Sequence, residues 1–201
     1  MIAWVVGNGE SLKKTPLEKL GDTFATNRIH HIYNETTWRP TYYVRTEPPY
    51  GGNPDSFFAE CRLHIDLGEK CIFPWEWQEV LGDAPNIEYI KVCRHFKYPP
   101  PHKKAHLKWH LPTVCDTSVI TAAMQVAVLK GYSEIRLVGC DLTGGHFSKD
   151  DDGLIQTDHW KIQHEIAKEN CPIPIYNYTV GGNLEVYERK DVWGKRNHSR
   201  L

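Results

Sequence analysis

Proton transfer near neutral pH calls for histidine, and this chain carries 11 of them. His159 is the first candidate for a general base or acid. It opens a helical pattern through Ile162 and Ile166 and follows a segment, 144 to 158, rich in glycine and aspartate. His146, in a Gly-Gly-His-Phe loop, ranks second, and His164, further along the same helix, ranks third. Holding a phosphate is a different task, suited to unpaired backbone N–H groups at a glycine turn. Residues 2–11, Ile-Ala-Trp-Val-Val-Gly-Asn-Gly-Glu-Ser, supply such a turn: an apolar strand breaks into Gly7-Asn8-Gly9 and offers Ser11 as the cap of a helix. The third glycine of the dinucleotide fingerprint is missing, as is the Gly-Lys-Ser/Thr of a P-loop. Asp141 ends the run Ile135-Arg136-Leu137-Val138-Gly139-Cys140, where a carboxylate can hold a ribose hydroxyl, orient a base, take a metal or cap the next turn.

The elements that must position these residues follow from the alternation of short apolar runs with helical stretches. That alternation predicts an α/β fold: a single Rossmann-like domain, residues 1–201, with a mostly parallel sheet covered by helices on both faces. Candidate strands are Ile2 to Val6, Thr23 to Thr26, Tyr42 to Arg45, Cys71 to Phe73, Ile87 to Val92, Glu134 to Val138 and Ile173 to Tyr176, each bounded by turn residues. The clearest helix starts at Ser118, runs from Val119 to Leu129 and stops at Gly131. Gly139 and Asp141 then fall past the carboxyl end of a central strand, the edge where open parallel sheets collect ligands, with Asn27 and Arg28 on that edge beside Asn8. A less regular stretch, about 46–112, reads as a lid or insertion.

Net charge is −1, with 24 basic against 25 acidic residues, so no global field attracts nucleic acid. No apolar run is long enough for a transmembrane segment and no leader pattern is recognisable, which predicts a cytoplasmic protein. The six cysteines are widely spaced and read as free thiols. Seven tryptophans and ten tyrosines suit a pocket that stacks on a sugar or base as well as a core. Local positive charge gathers in 94–110, where Arg94 and four lysines stand among four histidines without a carboxylate: a phosphate clamp or a solvated loop. His102, His106 and His110 are spaced like metal ligands on one helix face, and Asp150, Asp151 and Asp152 have the chemistry to hold magnesium; a surface loop is the simpler reading of the aspartates, and no metal site is assigned.

Val5-Val6-Gly7-Asn8-Gly9-Glu10-Ser11-Leu12, Phe24-Ala25-Thr26-Asn27-Arg28, Trp38-Arg39-Pro40-Thr41-Tyr42-Tyr43 and Gly131 through Leu142 form one ordered set. In order and spacing this set resembles the bacterial sialyltransferases that use CMP-sialic acid, and the related superfamily that includes the archaeal 6-hydroxymethylpterin pyrophosphokinase. The resemblance covers roughly the first 45 residues and the last 85. It implies a nucleotide site built from Gly7, Asn8, Gly9, Ser11, Asn27, Arg28, Ser118, Gly139 and Asp141, with His159 matching the catalytic histidine. Glu10 stands where the family has proline and Arg28 where it has glutamine. The activity implied is glycosyl transfer of a sialic-acid-like sugar from a nucleotide donor to an acceptor hydroxyl on a carbohydrate, with no cofactor required. The other branch implies a magnesium-dependent diphosphotransferase acting on a hydroxymethyl heterocycle. A non-catalytic nucleotide- or sugar-binding protein of the same fold is the remaining alternative, and homo-oligomer formation is left open.

Overall fold

The computed structural model describes residues 1–49, 53–93, 112–115, 118–143 and 157–190. The basic stretch 94–110, His146, the aspartates at 150–152 and the end of the chain beyond 190 lie outside the described residues, as does the side chain of His159.

Among the described residues, ten strands occur in chain order: β1 (Ile2–Val6), β2 (Thr23–Thr26), β3 (Tyr42–Val44), β4 (Lys70–Pro74), β5 (Ile87–Ile90), β6 (Val92–Cys93), β7 (Val114–Cys115), β8 (Glu134–Val138), β9 (Ile175–Asn177) and β10 (Glu188–Arg189). The α-helices among the described residues are α1 (Pro54–Asp66), α2 (Gln78–Leu81), α3 (Val119–Leu129) and α4 (Thr157–Asn170). Eight strands form one sheet in the order β10-β9-β8-β1-β2-β3-β4-β5, every neighbouring pair parallel. The expected α/β architecture is therefore present. Successive side chains of a strand face opposite ways, so Ala3 and Val5 join α3 and Ala167 of α4 in one core, while Trp4 and Val6 join Leu12, Ile29, Cys61 of α1 and Trp77 in the other. Helices thus cover both faces.

Local chemistry explains the helix ends. Ser118 and Thr121 form a reciprocal capping box at the start of α3, whose residues are buried along nearly the whole helix, and Gly131 ends it with φ +80°. Asn53 accepts from the Asp55 N–H and Pro54 occupies the first turn of α1. That helix was not anticipated: the stretch read as less regular holds α1 and α2 besides the expected strands β4 and β5. Other boundaries also move. The strand expected over Ile87 to Val92 breaks after Ile90, and Val92–Cys93 pairs with Val114–Cys115 in a separate two-stranded sheet. The strand expected at Ile173 to Tyr176 starts two residues later, after Pro174.

The chain lays β1 to β5 in one direction and then returns to place β8 to β10 on the other side of β1, so the direction of winding reverses between β1 and β8. The carboxyl ends of these two strands border the crevice where doubly wound sheets bind ligands. Because α3 leads into β8 and α4 into β9, both helices begin at that same edge. Among the described residues no helix is long and apolar enough to cross a membrane.

Candidate functional site

On one side of the carboxyl edge, the turns after β1 and β8 are sewn together. Gly7 N–H donates to Val138 O at 2.9 Å, Gly9 N–H to Gly139 O at 2.8 Å and Ser11 N–H to Asp141 Oδ2 at 2.8 Å, while the Ser11 hydroxyl donates to Asp141 Oδ1. A Cβ at Gly9 would lie 2.5 Å from Asp141 Cγ, and one at Gly7 2.4 Å from Gly139 O, so only glycine lets the turns approach this closely. The main chain of Asp141 is tied down as well: its carbonyl accepts from Asn183 N–H at 2.6 Å, and the preceding Cys140 N–H donates to Thr179 Oγ1 at 3.2 Å. Ser11 is therefore not a helix cap. It sits inside a five-residue 3₁₀ turn, Glu10–Lys14, flanked by Gly9 with no capping side chain. The N–H groups of Gly7, Gly9 and Ser11 are spent within the protein, and both oxygens of buried Asp141 are held by Ser11.

The adjoining side, at the ends of β1, β2 and β3, is different. Asn8 Nδ2 donates to Thr26 O at 3.1 Å, which brings the expected Asn8 and Asn27 side by side, but Asn8 Oδ1 is buried without a hydrogen-bond partner among the described residues. Asn27 has φ +51°, a left-handed conformation that asparagine tolerates, and its carbonyl accepts from the Tyr43 hydroxyl at 2.9 Å. Arg28 and Arg45 share one carboxylate: Arg28 Nε is 3.3 Å from Glu60 Oε1 and an Arg45 guanidinium nitrogen is 2.6 Å from Glu60 Oε2. Burial alone would push the Glu60 carboxyl up, yet the hydrogen bond and charge of Arg45, with the charge of Arg28, hold it below its ordinary value. Arg45 is only 8% exposed and its guanidinium lies 4.0 Å over the Phe57 ring. The neighbouring Cys61 thiol is pushed by burial to about 11 and stays neutral.

Beneath this edge runs a buried polar layer. The His64 ring stacks on Tyr43 with centroids 3.5 Å apart, and its Nδ1 is 2.6 Å from Glu69 Oε2. His30 packs edge-on to His64, and burial, followed by the charge of His64, lowers it to about 4.

Ser118 reaches the same edge from the opposite face. Its hydroxyl accepts from Thr121 N–H at 3.2 Å, and the next N–H, that of Val119, donates to Glu47 Oε1 at 3.3 Å, placing the start of α3 beside the chain leaving β3. The backbone of His159 lies in the first turn of α4, hence at the carboxyl edge, in a helix that begins two residues earlier than anticipated. His164 does not compete with it. It is 3% exposed, its Nδ1 lies 3.0 Å from the Tyr187 hydroxyl, and burial lowers it to about 4, so it is a neutral core residue. Among the described residues no group of three His, Cys, Asp or Glu side chains is arranged to hold a metal ion. Sequence reasoning missed Arg45 and Glu60. The signal for Arg45 was present, a charged residue directly after an apolar strand on the ligand-collecting edge, whereas Glu60 sits mid-helix and announces nothing.

With this geometry in view, the chain resembles three solved structures. A MAf glycosyltransferase from Magnetospirillum magneticum AMB-1 matches 97% of the chain with a TM-score of 0.59 at 14% identity. The fold is one that glycosyltransferases use. The chain corresponds to 34% of that protein, so it spans about a third of its length. The sialyltransferase CST-II, solved with a trisaccharide acceptor and CMP, matches 88% of this chain and 80% of its own, with a TM-score of 0.50 at 15% identity. CstII from Campylobacter jejuni, in complex with cytidine-5'-monophosphate, matches 88% of this chain and 78% of its own with a TM-score of 0.45 at 16% identity. The pyrophosphokinase branch of the resemblance gains no support from the first two. No protein-family model and no curated protein matches the chain. At these identities the likeness is one of fold, and function rests on the site.

Proposed function

We propose that this chain is a glycosyltransferase that moves a sialic-acid-like sugar from a nucleoside monophosphate donor to a hydroxyl of a carbohydrate acceptor. The observation that carries the reading is Asn8: at the end of the central strand, beside Asn27, it holds a buried acceptor oxygen that nothing among the described residues satisfies. Buried polar atoms are rarely left unpaired, and a donor's hydroxyl or amino group is suited to fill this role. The likeness in fold to a sialyltransferase solved with CMP is consistent with it.

In this reading Asn8 and Asn27 orient the nucleotide, and Arg28 supplies positive charge for its phosphate. The start of α3 at Ser118 borders the site, and the β1–β8 seam made by Gly7, Gly9, Ser11, Gly139 and Asp141 forms its rigid floor. The acceptor oxygen attacks the anomeric carbon. The bond from that carbon to the phosphate oxygen breaks, and its electron pair leaves on the nucleoside monophosphate. His159, at the mouth of α4, takes the acceptor's proton. Charge on the departing phosphate is met by fixed donors, so the reading requires no metal.

Melting curves with CMP, CDP, UDP and ATP, each with and without magnesium, test the donor. CMP alone is expected to raise the melting temperature, and stabilisation by ATP with magnesium only would overturn the reading. His159→Ala should lower transfer by about 10²- to 10⁴-fold while CMP still shifts the melt; undiminished transfer would remove His159 as the base.

A further inference from the structure

The carboxyl edge carries its own anions. Asp141 sits on the Ser11 N–H, Glu47 on the first N–H of α3, and Glu60 between Arg28 and Arg45. Asp141 is locked by hydrogen bonds and by glycine packing, whereas Glu60, carried by α1, keeps 18% of its side-chain surface exposed. Around Glu60 the charges do not balance: two guanidinium groups face one carboxylate. Arg45 is more than nine-tenths buried, and its Nε has no hydrogen-bond partner among the described residues. Arg28, with 38% of its side chain exposed, opens the pair to solvent. A planar guanidinium offers several donors in a fixed fork, and a single carboxylate shared between two forks leaves donors unused.

We propose that Arg28, Arg45 and Glu60 form an anion-exchange seat: Glu60 is the resident counter-ion, and an incoming oxyanion, a phosphate or carboxylate group, displaces it and takes both arginines. This deepens the proposed function, since it assigns the charged part of the donor to a particular pair of side chains. The seat itself is testable without a nucleotide. Its position is coupled to the donor site through one chain of contacts: Arg45 lies 3.4 Å from the Tyr43 hydroxyl, which donates to the carbonyl of Asn27. Exchange at Glu60 therefore bears on the backbone that presents Asn27. While the seat is empty of ligand, Glu60 keeps the buried charge of Arg45 compensated, which avoids the cost of an unpaired buried cation.

The test is titration with inorganic phosphate or acetate at constant ionic strength, read by calorimetry and melting temperature. In Glu60→Gln the competitor is gone, so the protein should melt lower in chloride and recover with phosphate, with a Kd roughly tenfold below that of the unaltered chain, the size of one charge-assisted hydrogen bond. Arg45→Met keeps the aliphatic contact with Phe57 and should abolish the response. Arg28→Gln, on a more exposed side chain, should weaken it several-fold with little change of the melt in chloride. A response to acetate in place of phosphate supports the seat and assigns it to a carboxylate. Equal responses in the unaltered chain, Glu60→Gln, Arg45→Met and Arg28→Gln, or none in any, would overturn the proposal. Asn8→Ala separates this from the donor reading: phosphate should still bind there even if CMP does not.

Discussion

The two halves of the carboxyl edge handle polar groups in opposite ways. At the seam between β1 and β8, the turn N–H groups of Gly7, Gly9 and Ser11 are paired, Asp141 is held at both oxygens, and the glycines permit backbone contact closer than any Cβ allows. Beside β2 and β3, Asn8 Oδ1, Arg45 Nε and His30 Nδ1 are buried without hydrogen-bond partners among the described residues. Unpaired buried groups cost stability, so their gathering on one side marks the half that is organised for something other than its own stability. Within the glycine-rich turn, the feature most suggestive of a phosphate cradle, the N–H groups of Gly7 and Gly9 are spent on the turn after β8, while the Asn8 side chain donates to Thr26 O and keeps an oxygen unpaired among the described residues.

The comparison breaks most decisively at the seam. Gly9→Ala forces a methyl group against Asp141 Cγ, and urea denaturation should record a loss of about 3 kcal/mol or more; a loss below about 1 kcal/mol would show that the seam yields. On the open half the expected effects are smaller. Tyr43→Phe removes the hydroxyl that donates to Asn27 O and should cost about 1 kcal/mol by the same measurement, while weakening CMP binding through the freed Asn27 backbone. Asn8→Ala should stay within about 0.5 kcal/mol of the parent, because the lost bond to Thr26 O is offset by removal of an unsatisfied oxygen, yet it should erase the melting shift with CMP.

A different kind of effect is read as a pH dependence. The folded value of His30 is lowered from 6.5 to about 4, so in that interval the unfolded chain binds more protons than the folded one. Stability is thus fully present above 6.5 and declines as the pH falls towards 4. His164 acts in the same direction over the same interval. His30→Gln should melt like the parent at pH 7 and lose less stability than the parent between pH 6.5 and 4; identical acid profiles would show that His30 does not contribute.

Much of the fold was legible because strand and helix signals are local. The apolar runs ending at Val6, Thr26 and Val138, and the Ser118-to-Gly131 helix with its cap and stop, occur where the residues place them. Helix α1 was hidden because its buried positions are few and its surroundings are rich in proline, glycine and aromatic residues. The break after Ile90 was hidden because a continuous apolar run does not reveal that its last residues pair with a different strand. His164 shows the limit for site residues. Its spacing on the helix admits either a core or an active-site role, and only Tyr187, 23 residues away, settles it in the core.

By itself, the sequence determined that Asn8, Asn27, Arg28 and Asp141 stand on one edge, because parallel strands joined by crossovers all end on the same side of the sheet. The tertiary structure alone decided what each of them does there. Asp141 meets Ser11 across 130 residues of chain and becomes a clasp; Arg28 and Arg45 meet at Glu60 and become a charged pair with a single counter-ion. A charge selects its partner by distance through space, and periodicity along the chain carries no record of that distance.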